Sequence, residues 1–236
     1  MLDDRVIAIA GVGGGLGPLV AERLAAAGAT VAGAGRDQAA LDALAADLDL
    51  PSEQWDGRAV DLLDEDAARA WCSALVERFG RVDGLIHLVG GWRGGQPLQE
   101  APLGDWELLQ DLLVRTVQHT TRAFHDQIAA SPRGRFVLVS SKQAQAPTAT
   151  NASYAAAKAA AEAWTLALAD GFEGSAATAN ILVVDAILTP QMREQEPDKD
   201  FPTFTPAEDI ADGIAFLCAD AAKKMNGQRF PLTMGR

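Results

Sequence analysis

Short apolar runs rich in β-branched residues alternate along this chain with longer stretches in which Ala and Leu recur at helical spacing. The runs fall at Val6–Ala10, Thr30–Ala34, Arg58–Val60, Gly84–Val89, Arg135–Ser140, Thr178–Val184 and Arg229–Leu232. The helical pattern covers Leu16–Ala27, Gln38–Leu48, Glu65–Phe79, Leu103–Ala130, Ser153–Phe172 and Pro206–Asp220, with Pro18 suited to the first turn of the first helix. Strands that are mostly apolar and separated by helices predict an α/β fold: a doubly wound parallel sheet of about seven strands with helices on both faces. Right-handed crossovers then put a ligand at the carboxyl ends of the strands, where strand order reverses.

A length of 236 residues fits one domain spanning 1–236, without an internal repeat or a linker-like break. The longest irregular stretch, 185–205, carries Pro190, Pro197 and Pro202 and reads as a substrate lid. Hydrophobic residues make up 48% and charged residues 22%, enough to build a core. The net charge of −12 argues against nucleic-acid and anionic membrane partners. No apolar run approaches the ~18 residues of a membrane span, and the N-terminus shows no targeting pattern, so a cytoplasmic protein is expected. Cys72 and Cys218 read as small buried hydrophobes. His87, His119 and His125 lack metal-ligand spacing and read as satisfied core or surface histidines; no metal is expected.

The first strand runs into Gly11-Val12-Gly13-Gly14-Gly15-Leu16-Gly17 and then a helix. Glycines there permit a tight turn and close approach to a pyrophosphate, and the helix start attracts the anion, so the pattern predicts a Rossmann-type dinucleotide site. The second strand ends Gly35-Arg36, with no carboxylate to accept from a ribose 2′-hydroxyl. A guanidinium can pair with a 2′-phosphate, so the expectation is NADP(H) before NAD(H), the alternative being that Arg36 is a solvated charge beside Asp37. Asp61, ending the third strand, either accepts from the adenine amino group or is a turn residue.

The single tyrosine, Tyr154, precedes Lys158 by four residues on an Ala-rich helix, so both project from one face. A phenol near pKa 10 is a weak base at neutral pH, and a neighbouring ammonium favours the phenolate. The pair is a candidate acid/base. Ser141, thirteen residues earlier, ends the fifth strand, where its hydroxyl could bond a substrate oxygen.

With these residues in view, the whole chain resembles the short-chain dehydrogenase/reductase family. The family's GxxxGxG matches Gly11, Gly15 and Gly17, its adenine-site Asp matches Asp61, and its Ser, Tyr and Lys match Ser141, Tyr154 and Lys158. The resemblance implies hydride transfer between a nicotinamide and a small carbonyl, alcohol or imine substrate, with Tyr154 as acid or base and Ser141 orienting the oxygen. Lys158 would tune Tyr154 and hold the nicotinamide ribose. It adds Gly14, Leu16, Leu62, Val89, Gly90, Ile187 and Thr189 to the cofactor contacts and implies a homodimer or homotetramer.

Three departures stand out. Strand 4 ends His87-Leu88-Val89-Gly90 where the family has Asn-Asn-Ala-Gly. The helix asparagine that helps hold a relay water falls on Leu113, and Val184-Asp185 replaces a Pro-Gly. The segment Gly90-Gly91-Trp92-Arg93-Gly94-Gly95 and the later Leu188-Thr189-Pro190, Asp200-Phe201 and Thr205-Pro206 look like the quinonoid dihydropteridine reductases, in which case Trp92 is either a contact for a flat substrate or a residue that packs its loop onto the body. A third reading is a catalytically weak nucleotide sensor, suggested by Leu113 and Val184-Asp185.

Overall fold

The computed structural model describes residues 1–233. Seven parallel strands form the central sheet: β1 (Val6–Ala10), β2 (Thr30–Gly35), β3 (Trp55–Ala59), β4 (Gly84–His87), β5 (Arg135–Ser141), β6 (Thr178–Val184) and β9 (Arg229–Pro231). Their spatial order is β3-β2-β1-β4-β5-β6-β9. The order reverses between β1 and β4, which pair in parallel through Ile7–Gly84 to Ala10–His87, so a crevice opens beyond their carboxyl ends.

Alternation along the strands sorts the side chains onto two faces. Ile7, Ile9, Ile86 and Val137 join the cluster built with α1 (Gly17–Ala26) and α8 (Ala207–Cys218). Ala8, Ala10, Leu85, Phe136 and Leu138 face α3 (Glu65–Phe79), α5 (Thr116–Ala130) and α6 (Ala152–Gly171). On that second face Trp71 and Phe124 meet edge to face at 4.8 Å. Burying each fully contributes about 1.5–3 kcal/mol. The remaining helices are α2 (Gln38–Leu48), α4 (Leu103–Gln110) and α7 (Pro190–Gln195). Cys72 and Cys218 are free and buried, as expected of small hydrophobes, and burial pushes their thiols up to about 11 and about 12.

The structure corrects the sequence reading at several places. The third strand is not Arg58–Val60 but begins at Trp55, because Asp56 turns inward and is neutralised by Arg58 (2.6 Å) and Arg78. The stretch Leu103–Ala130 is not one α-helix: a π-helical turn, Asp111–Arg115, separates α4 from α5. The segment 185–205 is not irregular. Strand β7 (Ala186–Leu188) pairs in parallel with β8 (Phe204–Pro206), and α7 lies between them. No helix among the described residues is long and apolar enough to cross a membrane.

Candidate active site

The glycine loop is shaped by contacts that admit no side chain. Gly11 has φ +86°, and a β-carbon there would sit 2.8 Å from the Val89 amide nitrogen. One on Gly17 would sit 1.9 Å from the Val12 carbonyl oxygen, so the first turn of α1 packs directly on the loop. A β-carbon on Gly15 would meet the Thr189 methyl group at 3.2 Å, so the turn after β7 lies against the loop. Gly13 borders open space. No side chain caps α1, whose cap position is Leu16; the Gly17 amide donates to the Gly14 carbonyl at 3.0 Å and Pro18 has no N–H, so an anion would meet the loop amides of Gly13, Gly15 and Leu16, which have no backbone partner among the described residues. The loop thus brings Gly11 against Val89 and Gly15 against Thr189, with Gly14, Leu16 and Gly17 in the same turn, a cradle whose free amides suit a pyrophosphate; Ile187 lies on β7, two residues before Thr189, and packs against the core.

The outer part of the cleft is less committed. Arg36 is exposed at the end of β2 and forms no ion pair with the described residues. Asp61 is exposed and accepts from the Leu63 amide at 2.9 Å through one carboxylate oxygen, a turn bond. Leu62 is buried, and its carbonyl meets His119 Nδ1 at 3.0 Å. His119 is thus satisfied as expected.

Ser141, Tyr154 and Lys158 converge at the carboxyl end of β5. Ser141 ends the strand, buried, and its oxygen accepts from the Gln143 amide at 3.2 Å. Asn151 precedes α6, accepting from the Thr148 amide at 2.7 Å and donating to Gln143 at 2.9 Å, and so ties the start of α6 to the turn after β5. One turn into the helix, burial pushes the Tyr154 phenol above its ordinary value, and the Ser141 hydroxyl opposes that shift. Lys158, 8% exposed, donates to the Val139 carbonyl at 2.9 Å, and its ammonium stands 6.0 Å from the Tyr154 ring centre. Burial draws it down to about 8, with Glu162 opposing. The sequence reading had the ammonium setting the phenol; in the structure burial dominates instead.

Glu162 lies one turn beyond Lys158, buried, and accepts from Ser140 (2.6 Å), Gln145 (3.3 Å) and Arg229 (2.7 Å). Periodicity did not reveal this carboxylate, because an acid on an Ala-rich helix reads as solvated. Beside the triad a cavity of about 340 Å³ is lined by Trp92, Lys142, Gln143, Asn151 and Asp185, among others. Lys142 and Asp185 face each other across it at 3.8 Å. Trp92, 53% exposed, leans on Gly94, and the Gly95 amide donates to the Thr150 carbonyl at 2.8 Å. Gly90 lies next to Leu113. Sequence reasoning found Trp92 but missed Lys142, Gln143, Asn151 and Asp185, whose types are ordinary for turns.

His87 departs from its expected state. It is buried, but among the described residues neither ring nitrogen has a hydrogen-bond partner. Burial, and secondly the charge of Lys158, push it down to about 3; the nearby Thr116 backbone, outside hydrogen-bond geometry, offsets part of this. Among the described residues no group of three His, Cys, Asp or Glu could hold a metal ion.

The chain is similar to known proteins of one family. The family model described as short chain dehydrogenase matches residues 5–200. A D-threitol dehydrogenase of Mycolicibacterium smegmatis is 26% identical over 235 residues, covering 96% of this chain and 90% of that protein. A 7alpha-hydroxysteroid dehydrogenase of Escherichia coli is 25% identical over 243 residues, with 99% and 94% covered. A short-chain type dehydrogenase/reductase structure from Mycobacterium ulcerans superimposes with a TM-score of 0.88 at 25% identity, covering 98% of this chain and 88% of that one. An NAD+-bound xylitol dehydrogenase shares the fold at a TM-score of 0.89 and 21% identity, with 99% of both chains covered.

Proposed function

This chain belongs to the short chain dehydrogenase family, and from that premise we propose that it is an oxidoreductase acting on a small carbonyl, alcohol or imine, with Tyr154 as proton donor or acceptor. The observation that carries the proposal is the meeting of Ser141, Tyr154 and Lys158 at the carboxyl end of β5, two strands from the glycine turn that follows β1, with Lys142 and Gln143 of the Trp92 cavity directly after Ser141. A bound nicotinamide dinucleotide supplies or accepts the hydride. In reduction, Tyr154 Oη–H passes its proton to the substrate oxygen or nitrogen, and the phenolate is left beside the Lys158 ammonium. In oxidation the phenolate removes the hydroxyl proton. Ser141 donates to the reacting oxygen and fixes its direction toward the phenol. Lys158 would turn one of its free donors toward the ribose hydroxyls, while Gly11, Gly14, Gly15, Leu16, Gly17, Asp61, Leu62, Val89, Gly90, Ile187 and Thr189 would hold the dinucleotide.

We assign the cofactor as NADP(H) before NAD(H), supported by the exposed Arg36 and by Gly35 where a carboxylate would stand. Parallel titrations with NADPH and NADH test this: Arg36→Ala should weaken NADPH at least tenfold and leave NADH nearly unchanged. Equal affinities in the parent protein would refute it. The activity itself is tested by following NADPH oxidation against aldehydes, ketones, cyclic imines, quinones and quinonoid dihydropterin. Turnover of the dihydropterin alone would favour the second reading, for which the exposed Trp92 at the cavity speaks. Tight cofactor binding with no turnover across the panel would instead point to a nucleotide sensor. The exposed Leu103 and Leu108 on α4 support assembly into a homodimer or homotetramer, which sedimentation equilibrium would measure.

A further inference from the structure

His87 ends β4 on the face covered by α5 and α6, the face that also carries Leu85 and Leu138. At 1% exposure it is sealed from solvent, and neither Nδ1 nor Nε2 has a partner among the described residues. Leaving a buried donor or acceptor unsatisfied costs about 1–3 kcal/mol, so such a ring calls for a partner or a function. The groups around it are mostly committed. The Thr116 hydroxyl donates to the Leu112 carbonyl at 2.7 Å, and the Thr120 hydroxyl to the Thr116 carbonyl at 2.7 Å. Leu113 offers no polar atom, and Glu162 already accepts from Ser140, Gln145 and Arg229.

Lys158 shows the complementary shortage. Its ammonium has three donors and one acceptor within reach among the described residues, the Val139 carbonyl at 2.9 Å. Val139 follows Leu138, the residue paired with His87 across β4 and β5. A neutral imidazole has one acceptor nitrogen and one N–H, so an ammonium with one acceptor and a ring short of partners both lie between this face of the sheet and α6, on adjacent strands and close enough for the Lys158 charge to act on the ring. They do not touch directly. Lys158 Nζ, the ring and the Thr116 backbone together supply the two to four polar partners a buried water requires.

We propose that His87 is a positioning residue for Lys158: as the neutral ring it accepts, through one bridging water, a hydrogen bond from the ammonium and holds that amine toward Tyr154. This rests on the oxidoreductase reading only for its effect on rate. Burial and the Lys158 charge keep the ring neutral, held down to about 3, and therefore fit to accept. The bridge in turn supports the charged lysine against the burial that draws it down to about 8. Facing the ammonium are His87 from β4 and Tyr154 and Glu162 from α6; Ser141 from β5 and Thr116 from α5 carry no charge.

The test pairs His87→Leu with His87→Gln, which keeps an acceptor at similar reach. In alcohol oxidation, the Leu variant should lose about tenfold in kcat with KM and NADP+ affinity within about twofold, and the rising limb of its pH profile should move up by about one pH unit. The Gln variant should recover most of both. An unmoved limb in the Leu variant, or a Gln variant as impaired as Leu, would overturn the proposal. A second measurement needs no turnover: nitrogen-15 NMR of the His87 ring in the parent protein and in Lys158→Met. Loss of the neighbouring cation should raise the pH at which the ring protonates by about one unit, and an unchanged titration would refute the pairing even in an active enzyme. A coupled ring in a protein that turns over no substrate would uphold the pairing and count against the oxidoreductase reading.

Discussion

Tyr154 and Lys158 are pushed by burial in opposite directions, the phenol up and the amine down to about 8, each toward its uncharged form. Their pairing was legible from spacing alone, since a tyrosine and a lysine four apart share a helix face. The balance of forces was not, because it depends on how much of β5 and α5 covers them. Two predictions follow at this scale. Tyr154→Phe should lower turnover by about 10²–10⁴-fold, the range for removing a positioned acid, while fluorescence titration finds NADPH affinity nearly unchanged. For Lys158 the unfolded chain keeps its proton up to about 10.4, so between about 8 and that value the unfolded state binds more protons and this group makes stability rise with pH. Relative to Lys158→Met, the parent protein should therefore gain stability in urea unfolding as pH is raised from 7 to 10. Activity that needs the ammonium falls over the same window.

At the level of elements, the sequence pattern located helices and strands wherever apolar spacing carried the packing, and failed where a hydrogen bond or ion pair did. Leu112, Leu113 and Val114 continue an apolar run that looks helical, and nothing in it signals the π-helical turn. That turn exists because the Thr116 amide bonds back to the Asp111 carbonyl while its hydroxyl occupies the Leu112 carbonyl. The start of β3 was hidden in the same way by Asp56, whose charge is answered by two arginines from different elements. The glycine turn, by contrast, was readable because two of its positions, Gly11 and Gly17, leave no room for a β-carbon. Gly11→Ala places a β-carbon at a positive φ and against the Val89 amide, and should weaken dinucleotide binding at least tenfold and cost about 1 kcal/mol or more of stability. Gly13→Ala meets open space and should leave unfolding midpoints within about 0.5 kcal/mol. Urea titrations and cofactor binding on the two variants separate the conformational role from mere flexibility.

Across the whole molecule the two ends of the sheet do different work, a division that strand order implies and only the folded contacts specify. The carboxyl ends carry the cradle, the triad and the cavity. The amino ends carry a network of buried polar groups: Asp83 accepts from the Val6 amide at 3.0 Å and from Arg81 and Ser131, and Arg135 donates to the Gly134 carbonyl at 2.7 Å. Arg5, 1% exposed, donates to the Cys218 carbonyl at 2.7 Å and to Asp220, tying the start of β1 to the end of α8. Its removal is not the breaking of a fully buried ion pair, because Asp220 is 65% exposed and can be rehydrated. What is lost is the bond to a buried carbonyl, while the neighbouring Arg135, whose charge Arg5 disfavours, is relieved. Arg5→Met should therefore cost about 1–3 kcal/mol, the scale of one unsatisfied buried group, and less than the 3–5 kcal/mol of a broken buried pair. Because this contact lies at the end of the sheet opposite the cradle, NADPH affinity in the folded variant should match that of the parent, and a parallel loss of affinity would mean that the two ends are mechanically coupled through β1.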